Sequence, residues 1–339
     1  MKKHLINSMI PSFKANLHCH SNISDGLLSP EELKKAYKAK GYSVLSITDH
    51  EVLIAHPELD EDGFLALPGY EMSIDQPGPG PFYKTCHMNL FPKKKGHLTQ
   101  VCFHEKYVFG EARNHLDKIK WSGEPMERTY SPACINEIIR MAGEQGFLVS
   151  YNHPTWSQEC YNDYINYEGF FAMEVYNTSC RICVPENNIR VYREMAQAGK
   201  RLYCIATDDN HNYDGLEHYK NDSFGGFTMI SAESLTHEAV TAALERGDCY
   251  ASAGPLIHDL YIEEGKVYVS CSPAKAVYIY DAGRAGDCII ARKAGTITEA
   301  VFWLPTADKK FFIIEVVDEE GNQAYTRAYF ADEWENKTF

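Results

Sequence analysis

Seven short apolar runs recur along this chain, and each carries, at or close to its end, a side chain that can bind a metal ion. They cover residues 13–20, 43–50, 64–71, 86–91, 147–153, 170–177 and 201–211. In that order they carry His18 and His20, His50, Glu71, His87, His153, Glu174, and Asp209 with His211. Apolar runs of this length bounded by turn residues read as strands. A chain that returns imidazoles and carboxylates to one edge of its sheet this often is building a polynuclear metal centre there, so the fold has to bring all seven runs together.

Between the runs lie helix signals. Ser29-Pro30-Glu31-Glu32 supplies an N-cap, a proline at the first helical position and acids in the first turn, and Gly41 ends the helix. Ser131-Pro132-Ala133 repeats that opening before a helix through residues 135–143, and residues 184–199 and 235–247 supply two more. Repeated strand–helix units imply a parallel sheet, and the absence of a G-x-G-x-x-G loop weakens a dinucleotide-binding reading. An open doubly wound sheet gathers ligands at one switch point, whereas a closed barrel uses the C-terminal edge of every strand. The spread over seven runs therefore predicts an α/β fold with a distorted (β/α)7, TIM-like barrel; the intervals are too irregular for a regular eightfold one.

Beyond Pro255 the texture changes. Residues 257–262, 266–270, 276–281, 296–304, 311–317 and 323–330 are short β-rich runs punctuated by Gly, Pro and Asp, without a helical period. They predict a small antiparallel all-β sandwich. The organisation expected is thus a metal-binding α/β domain over residues 12–254 and a β-sandwich-like domain over 255–339, with the acidic, aromatic tail 331–339 at the surface. The longest irregular stretch, residues 92–130, holds Lys93, Lys94, Lys95, Arg113, Trp121 and Arg128. It reads as a lid or a solvated insertion, with one of its cations a candidate contact for an anionic substrate.

Composition excludes several function classes. With a formal net charge of −14 over 339 residues, no stable nucleic-acid binding is expected, because phosphate contacts need clustered Lys and Arg. No apolar run of about 18 residues exists, so no membrane partner is expected, and residues 1–14 make a poor signal peptide. The eleven cysteines are odd in number, scattered and often inside apolar runs, which reads as reduced, buried thiols in a cytoplasmic protein. Cys180 and Cys183 form a CxxC pair without the second pair a zinc ribbon needs.

Taken singly, the motifs have ordinary explanations. His18 and His20 stand two apart, so both imidazoles point one way while Cys19 faces the other layer, but an HxH also arises by chance. Asp49 beside His50 could be a cap. Glu71 and Glu174 end apolar runs where a bare carboxylate is costly without a partner. Their common placement at one edge is what singles them out.

The ordered set His18-x-His20-x4-Asp25-Gly26, Thr48-Asp49-His50, Gly69-Tyr70-Glu71, His87, Asn152-His153-Pro154 and Asp209-x-His211 resembles the PHP (polymerase and histidinol phosphatase) superfamily of metal-dependent phosphoesterases, over roughly residues 12 to 254. The segment Glu174-Val175-Tyr176-Asn177 and the β-rich extension look more like the two-domain, CehA/McbA-type branch. The resemblance implies two to three divalent transition-metal ions (Zn, Mn or Fe). One would be held by His18, His20, Glu71 and Asp209; a second would share Glu71 and add His87 and His153; a third would take Asp25, His50 and His211. Asp25 stands where some members have His.

The resemblance further implies hydrolysis of a small phosphorylated metabolite or nucleotide by a hydroxide bridging two ions, with Glu71 as the bridging carboxylate and Asp25 or His211 as the acid that protonates the leaving oxygen. Arg181, Asn177, Tyr176, Trp156 and Glu174 are the candidate substrate contacts, Glu174 alternatively standing behind the ligands. Asp49 and Asp208 are expected to orient neighbouring histidines. Two other readings stand beside this one: a carboxyl-ester or carbamate hydrolase, in which the same nucleophile attacks carbon, and a non-catalytic metal-stabilised module. Oligomeric state is left open.

Overall fold

The structure is a computed structural model describing residues 2–78, 84–185, 187–284, 286–292 and 295–335. It is a mixed α/β protein rich in sheet. The apolar runs become strands, most of them ending before the metal-binding residue. Ser12–Asn16, Val44–Ile47, Phe147–Tyr151 and Tyr203–Thr207 stop two to three residues short of His18, His50, His153 and Asp209. The run at 64–71 is two strands, Leu65–Pro68 and Tyr70–Asp75, broken at Gly69. A Cβ there would stand 2.8 Å from Ser46 Oγ and 3.0 Å from the Phe91 ring.

Ser12–Asn16 pairs in parallel with Val44–Ile47, which pairs in parallel with Leu65–Pro68. Tyr70–Asp75 then pairs antiparallel with Thr85–Pro92, which pairs antiparallel with Phe147–Tyr151. Ala172–Asn177 lies parallel to both Phe147–Tyr151 and Tyr203–Thr207. A parallel bridge between Cys19 and Asn210, with His20 N–H donating to Asn210 O and Asp209 N–H to His18 O, returns the pairing to the first strand's extension. The parallel sheet expected from the sequence is corrected where Phe227–Ser231 pairs antiparallel with Ser12–Asn16, and at Thr85–Pro92. Its two neighbours run opposite to it, so its N-terminal end, bearing His87, shares the edge where the others present their C-terminal ends.

The capped helices form where their signals lie. Ser29 and Glu32 make a reciprocal capping box on helix Pro30–Ala39, and Ser131 caps Pro132–Glu144; such a cap stabilises a helix by about 1 kcal/mol. Thr236 caps His237–Arg246, which ends on Gly247 at φ 74°. The helix expected over 184–199 covers only Ile189–Gln197, because Pro185 follows the separate short helix Thr178–Cys183 and the residue before a proline is held extended.

After residue 255 the expected strands form, together with Gly286–Ile290, whose Gly-Asp opening hid it in the sequence. They divide between two sheets. Lys3–Ile6, Ile257–Glu263, Lys266–Ala274 and Ile297–Trp303 make one; Gly286–Ile290, Ala276–Asp281, Phe311–Val317 and Gln323–Thr326 belong to the other, which continues through Cys249–Ser252 into the strands of the first half. Leu260, Val267, Val277, Phe312 and Ile314 share one apolar cluster. The tail is not wholly surface, since Trp334 packs on this cluster; residues 336–339 lie outside the described residues. Among the described residues no helix is long and apolar enough to cross a membrane.

Candidate metal centre

Glu71 lies at the middle of the assembled edge, 1% exposed, with five imidazoles around it. Its Oε1 stands 3.3 Å from His18 Nε2, 2.9 Å from His87 Nδ1 and 3.3 Å from His153 Nε2, and accepts from Asn152 Nδ2 at 3.0 Å. Its Oε2 stands 3.4 Å from His20 Nε2 and 3.2 Å from His50 Nδ1. Asp209 repeats the pattern, with Oδ1 at 3.1 Å from His18 Nε2 and 3.0 Å from His20 Nε2, and Oδ2 at 3.6 Å from His153 Nε2. Asp25 faces His20 Nδ1, His50 Nε2 and His211 Nε2 at 3.6, 3.6 and 3.5 Å.

Donor atoms within 4.8 Å of one another therefore fall into the groups His18, His20, Glu71, Asp209; Glu71, His87, His153; and His20, Asp25, His50, His211. All nine side chains named as ligands from the sequence lie in this one assembly. Two further groups, His18 with His153 and Glu174, and His153 with Cys180 and Asp209, bring in Glu174 and Cys180. Cys180 was not foreseen as a neighbour; its Sγ lies 3.8 Å from Asp209 Oδ2, and burial raises its thiol pKa well above the usual range.

The donor set fits cations. His18 Nε2 and His20 Nε2 are 3.2 Å apart, and Nδ1 of both His20 and His50 is buried with no hydrogen-bond partner. The Asp25 distances are too long for hydrogen bonds. They match the separation of roughly 3.4 Å between two donors about 2.1 Å from one tetrahedral ion. His18 Nδ1 meets the Glu174 carboxylate at 2.7 Å, so it carries the proton and leaves the Nε2 lone pair facing Glu71 and Asp209.

Electrostatics point the same way. Burial disfavours a charged His18, yet Asp209, Glu71 and Glu174 hold its pKa well above the imidazole range, and His20 is carried against burial up to about 10 by Asp209 and Glu71. His50 goes the other way, down to about 3, because burial there outweighs Glu71. Despite burial, the imidazoles hold Asp25, Glu71 and Asp209 well below the usual carboxylate range. A cluster this rich in carboxylate attracts positive charge, which protons or metal ions can supply.

The backbone is strained where it delivers these groups. Glu51, His153 and Asp209 take positive φ of 63°, 23° and 54°, conformations costly for side-chain-bearing residues. Gly26 has no substitute, since a Cβ would stand 2.4 Å from His20 O. Asp49 and Asp208 do not touch the histidines as expected. Asp49 accepts from Ser21 N–H and from the hydroxyls of Ser21 and Ser24, fixing the turn that carries Asp25. Asp208 accepts from Tyr37, Thr178 and the backbone N–H groups of Phe224, Gly225 and Gly226.

The candidate substrate contacts separate into two sets. Trp156 lies against the rings of His87 and His153, with centroids 5.7 and 5.1 Å away. Glu174 is fully buried and accepts from His18 Nδ1, Thr207 Oγ1, the His153 N–H and Asn177 Nδ2, so its place is behind the ligands. Asn177 is also enclosed, donating to Glu174 and Asp209 while its Oδ1 caps Cys180 N–H. Arg181 lies over the Tyr176 ring, 4.9 Å from its centroid, and pairs with none of the nine donors. Arg128, the insertion's buried cation, is committed to Glu51.

No family profile matches the chain. One curated relative, a 5'-3' exoribonuclease of Haemophilus influenzae, is 39% identical over 71 residues, 20% of this chain. The chain spans only 26% of that relative's length. A two-domain protein containing a predicted PHP-like metal-dependent phosphoesterase from Bacteroides vulgatus is similar over 96% of this chain and 98% of its own, at 14% identity and a TM-score of 0.45. An amidohydrolase from Chromobacterium violaceum, solved with bound sulfate and no metal, is similar over 58% of this chain and 87% of its own, at 16% identity and a TM-score of 0.35.

Proposed function

We propose that the protein is a PHP-like metal-dependent phosphoesterase that hydrolyses a small phosphorylated molecule. The observation that carries this reading is Glu71, a single buried carboxylate whose two oxygens face different imidazole groups, which is the arrangement a bridging ligand requires. His18, His20, Glu71 and Asp209 would hold one divalent ion, Glu71, His87 and His153 a second, and Asp25, His50 and His211 a third, with Zn, Mn or Fe suited to this imidazole and carboxylate set. Ions held there supply Lewis acidity and a water made nucleophilic near neutral pH.

The chain's own residues divide the remaining work. Asn152 and Glu174 hold Glu71 and His18 in register. Against burial, its imidazole neighbours favour the ionised Asp25 carboxylate, the form a ligand takes, and proton donation from Asp25 would need that preference reversed. His211 Nδ1 faces the Asp209 carbonyl at 3.0 Å and therefore carries a proton, which leaves Nε2 toward Asp25. In the neutral ring that Nε2 is a ligand, and only a doubly protonated His211 could act as the acid.

The circuit of strand pairings supports a distorted seven-stranded barrel over residues 12–254, and the shared apolar cluster supports a β-sandwich-like unit over 255–339 that also recruits Lys3–Ile6. Eleven unpaired cysteines support a cytoplasmic location. The net charge of −14 supports a small-molecule substrate over nucleic acid.

Carboxyl-ester or carbamate hydrolysis is the second reading. It is favoured by one observation: among the described residues no lysine or arginine is ion-paired with any of the nine donors, so the donor set itself holds no protein cation in place for a phosphoryl group. The test is a screen of phosphomonoesters, cyclic phosphates and nucleotides beside aryl esters, using protein whose metal content has been measured. Turnover of phosphoesters is expected; turnover of aryl esters alone overturns the first reading, and less than one transition-metal ion per chain after expression with Mn, Fe and Zn overturns both.

A further inference from the structure

Of the six imidazoles in the centre, His18, His20 and His153 are closed to solvent, with side chains 2% exposed or less. The other three are mostly enclosed but reach solvent at one edge, and are open in that sense: His50 at 10%, His87 at 11% and His211 at 16%. Each open imidazole has an exposed aromatic ring against it. Phe109, from the insertion, lies 5.2 Å from His50; Trp156 lies 5.7 Å from His87; Tyr213 lies 5.3 Å from His211 with the rings 29° apart. These side chains are 45%, 40% and 61% exposed. Large aromatics left this open lose the stabilisation that burial would bring. They come from three separate loops and converge on the accessible side of one cluster.

Exposed aromatic surface from three loops thus stands beside the histidines that reach solvent. A planar ring would find three aromatic side chains, each within 6 Å of a histidine of the donor set. We infer that Phe109, Trp156 and Tyr213 form a specificity collar for a substrate that joins a single hydrolysable oxyanion group to a planar aromatic group. This rests on the proposed metal-dependent hydrolase reading and adds the substrate class to it.

The test compares benzylphosphonic acid with cyclohexylmethylphosphonic acid, uncleavable probes that share the phosphonate, the linker and the ring size and differ in the π face. Binding to the Mn-loaded full chain is measured by calorimetry and by tryptophan fluorescence, with Trp156→Phe assigning the signal. The benzyl probe is expected to bind about tenfold tighter, in keeping with the geometric preference of aromatic pairs. That preference should shrink in Trp156→Ala and Tyr213→Ala and persist in Trp303→Ala, a change at an exposed tryptophan of the C-terminal sheet. Equal affinity for the two probes, absence of binding by both, or an unaltered preference in Phe109→Ala, Trp156→Ala and Tyr213→Ala alike overturns the collar. Hydrolysis of phosphoesters without a benzyl preference sinks the collar alone, whereas a benzyl preference without any phosphoester turnover sinks the phosphoesterase reading and leaves the collar standing.

Discussion

Arg128 donates from Nη1 and Nη2 to the two carboxylate oxygens of Glu51, at 2.6 and 2.8 Å, with both side chains 1% exposed or less. Glu51 follows His50, takes a positive φ, and donates its backbone N–H to Glu71 O. Arg128 also donates to Ser73 O and Cys102 O and lies 4.4 Å from the centroid of Tyr107. The insertion is therefore fastened to the backbone that delivers two of the central residues, His50 and Glu71.

Breaking this pair by Arg128→Met strands a buried carboxylate and is expected to destabilise the fold by about 3–5 kcal/mol. Adding Glu51→Gln should recover part of that loss, because no charge is then left unpaired. Denaturant unfolding of the two single variants and the double variant checks both statements. Additive losses would mean that the two residues do not act as a pair.

Glu71→Ala removes the carboxylate shared by two of the three donor groups. Metal analysis of the purified variant should show at least one ion fewer per chain than wild type, with hydrolytic turnover lost. A metal-saturated variant with wild-type rates would exclude the bridging role.

Glu174→Gln should weaken metal binding by roughly 10- to 100-fold. All four of its partners donate, so a glutamine amide must set its own N–H groups against the Thr207 hydroxyl and His18 Nδ1 or against Asn177 and the His153 N–H. Competition with a chromogenic chelator measures the change. Unaltered affinity would show that His18 needs no such support.

Glu159 gives a pH dependence through a carboxyl hydrogen-bonded by tyrosines and by none of the nine donors. Burial pushes its carboxyl up to about 7, against hydrogen bonds from Tyr151, Tyr167 and Tyr130. The folded state therefore prefers the protonated acid, while the unfolded chain releases its proton at the ordinary value near 4.5. The stabilisation is full below that lower value and is lost as pH rises to about 7. Relative to Glu159→Gln, wild-type stability should fall by about 3 kcal/mol across this window and then level off. Unfolding curves of both proteins at a series of pH values test it, and parallel curves would count against it.

Much of this was legible in the sequence. The apolar runs marked the strands, Ser29 with Glu32 and Thr236 with Gly247 marked helix ends, and the i, i+2 spacing of His18 and His20 placed two imidazoles side by side. Local signals of this kind depend only on neighbouring residues. The reversed strand Thr85–Pro92 escaped because strand direction is set by partners far away in the chain. Arg128 read as either a solvated loop cation or a candidate substrate contact, and nothing near it in sequence announces Glu51, 77 residues earlier. Phe109 and Tyr213 carried no signal, since a lone aromatic in a loop is identical on paper whether it lines a mouth or packs a core.

The sequence by itself determined the supply of donors and the edge to which they are delivered, because strand periodicity and turn chemistry are encoded within a few residues. Only the tertiary structure decided which donors share an oxygen of Glu71, that Glu174 and Asn177 are enclosed behind His18 and Asp209, and that three aromatics stand over the open histidines. Many of those relations are distances between segments far apart in the chain, such as Glu71 and His153, 82 residues apart, or Asn177 and Asp209, 32 apart. They are fixed by closure of the strand pairings and by burial, and no local pattern carries them.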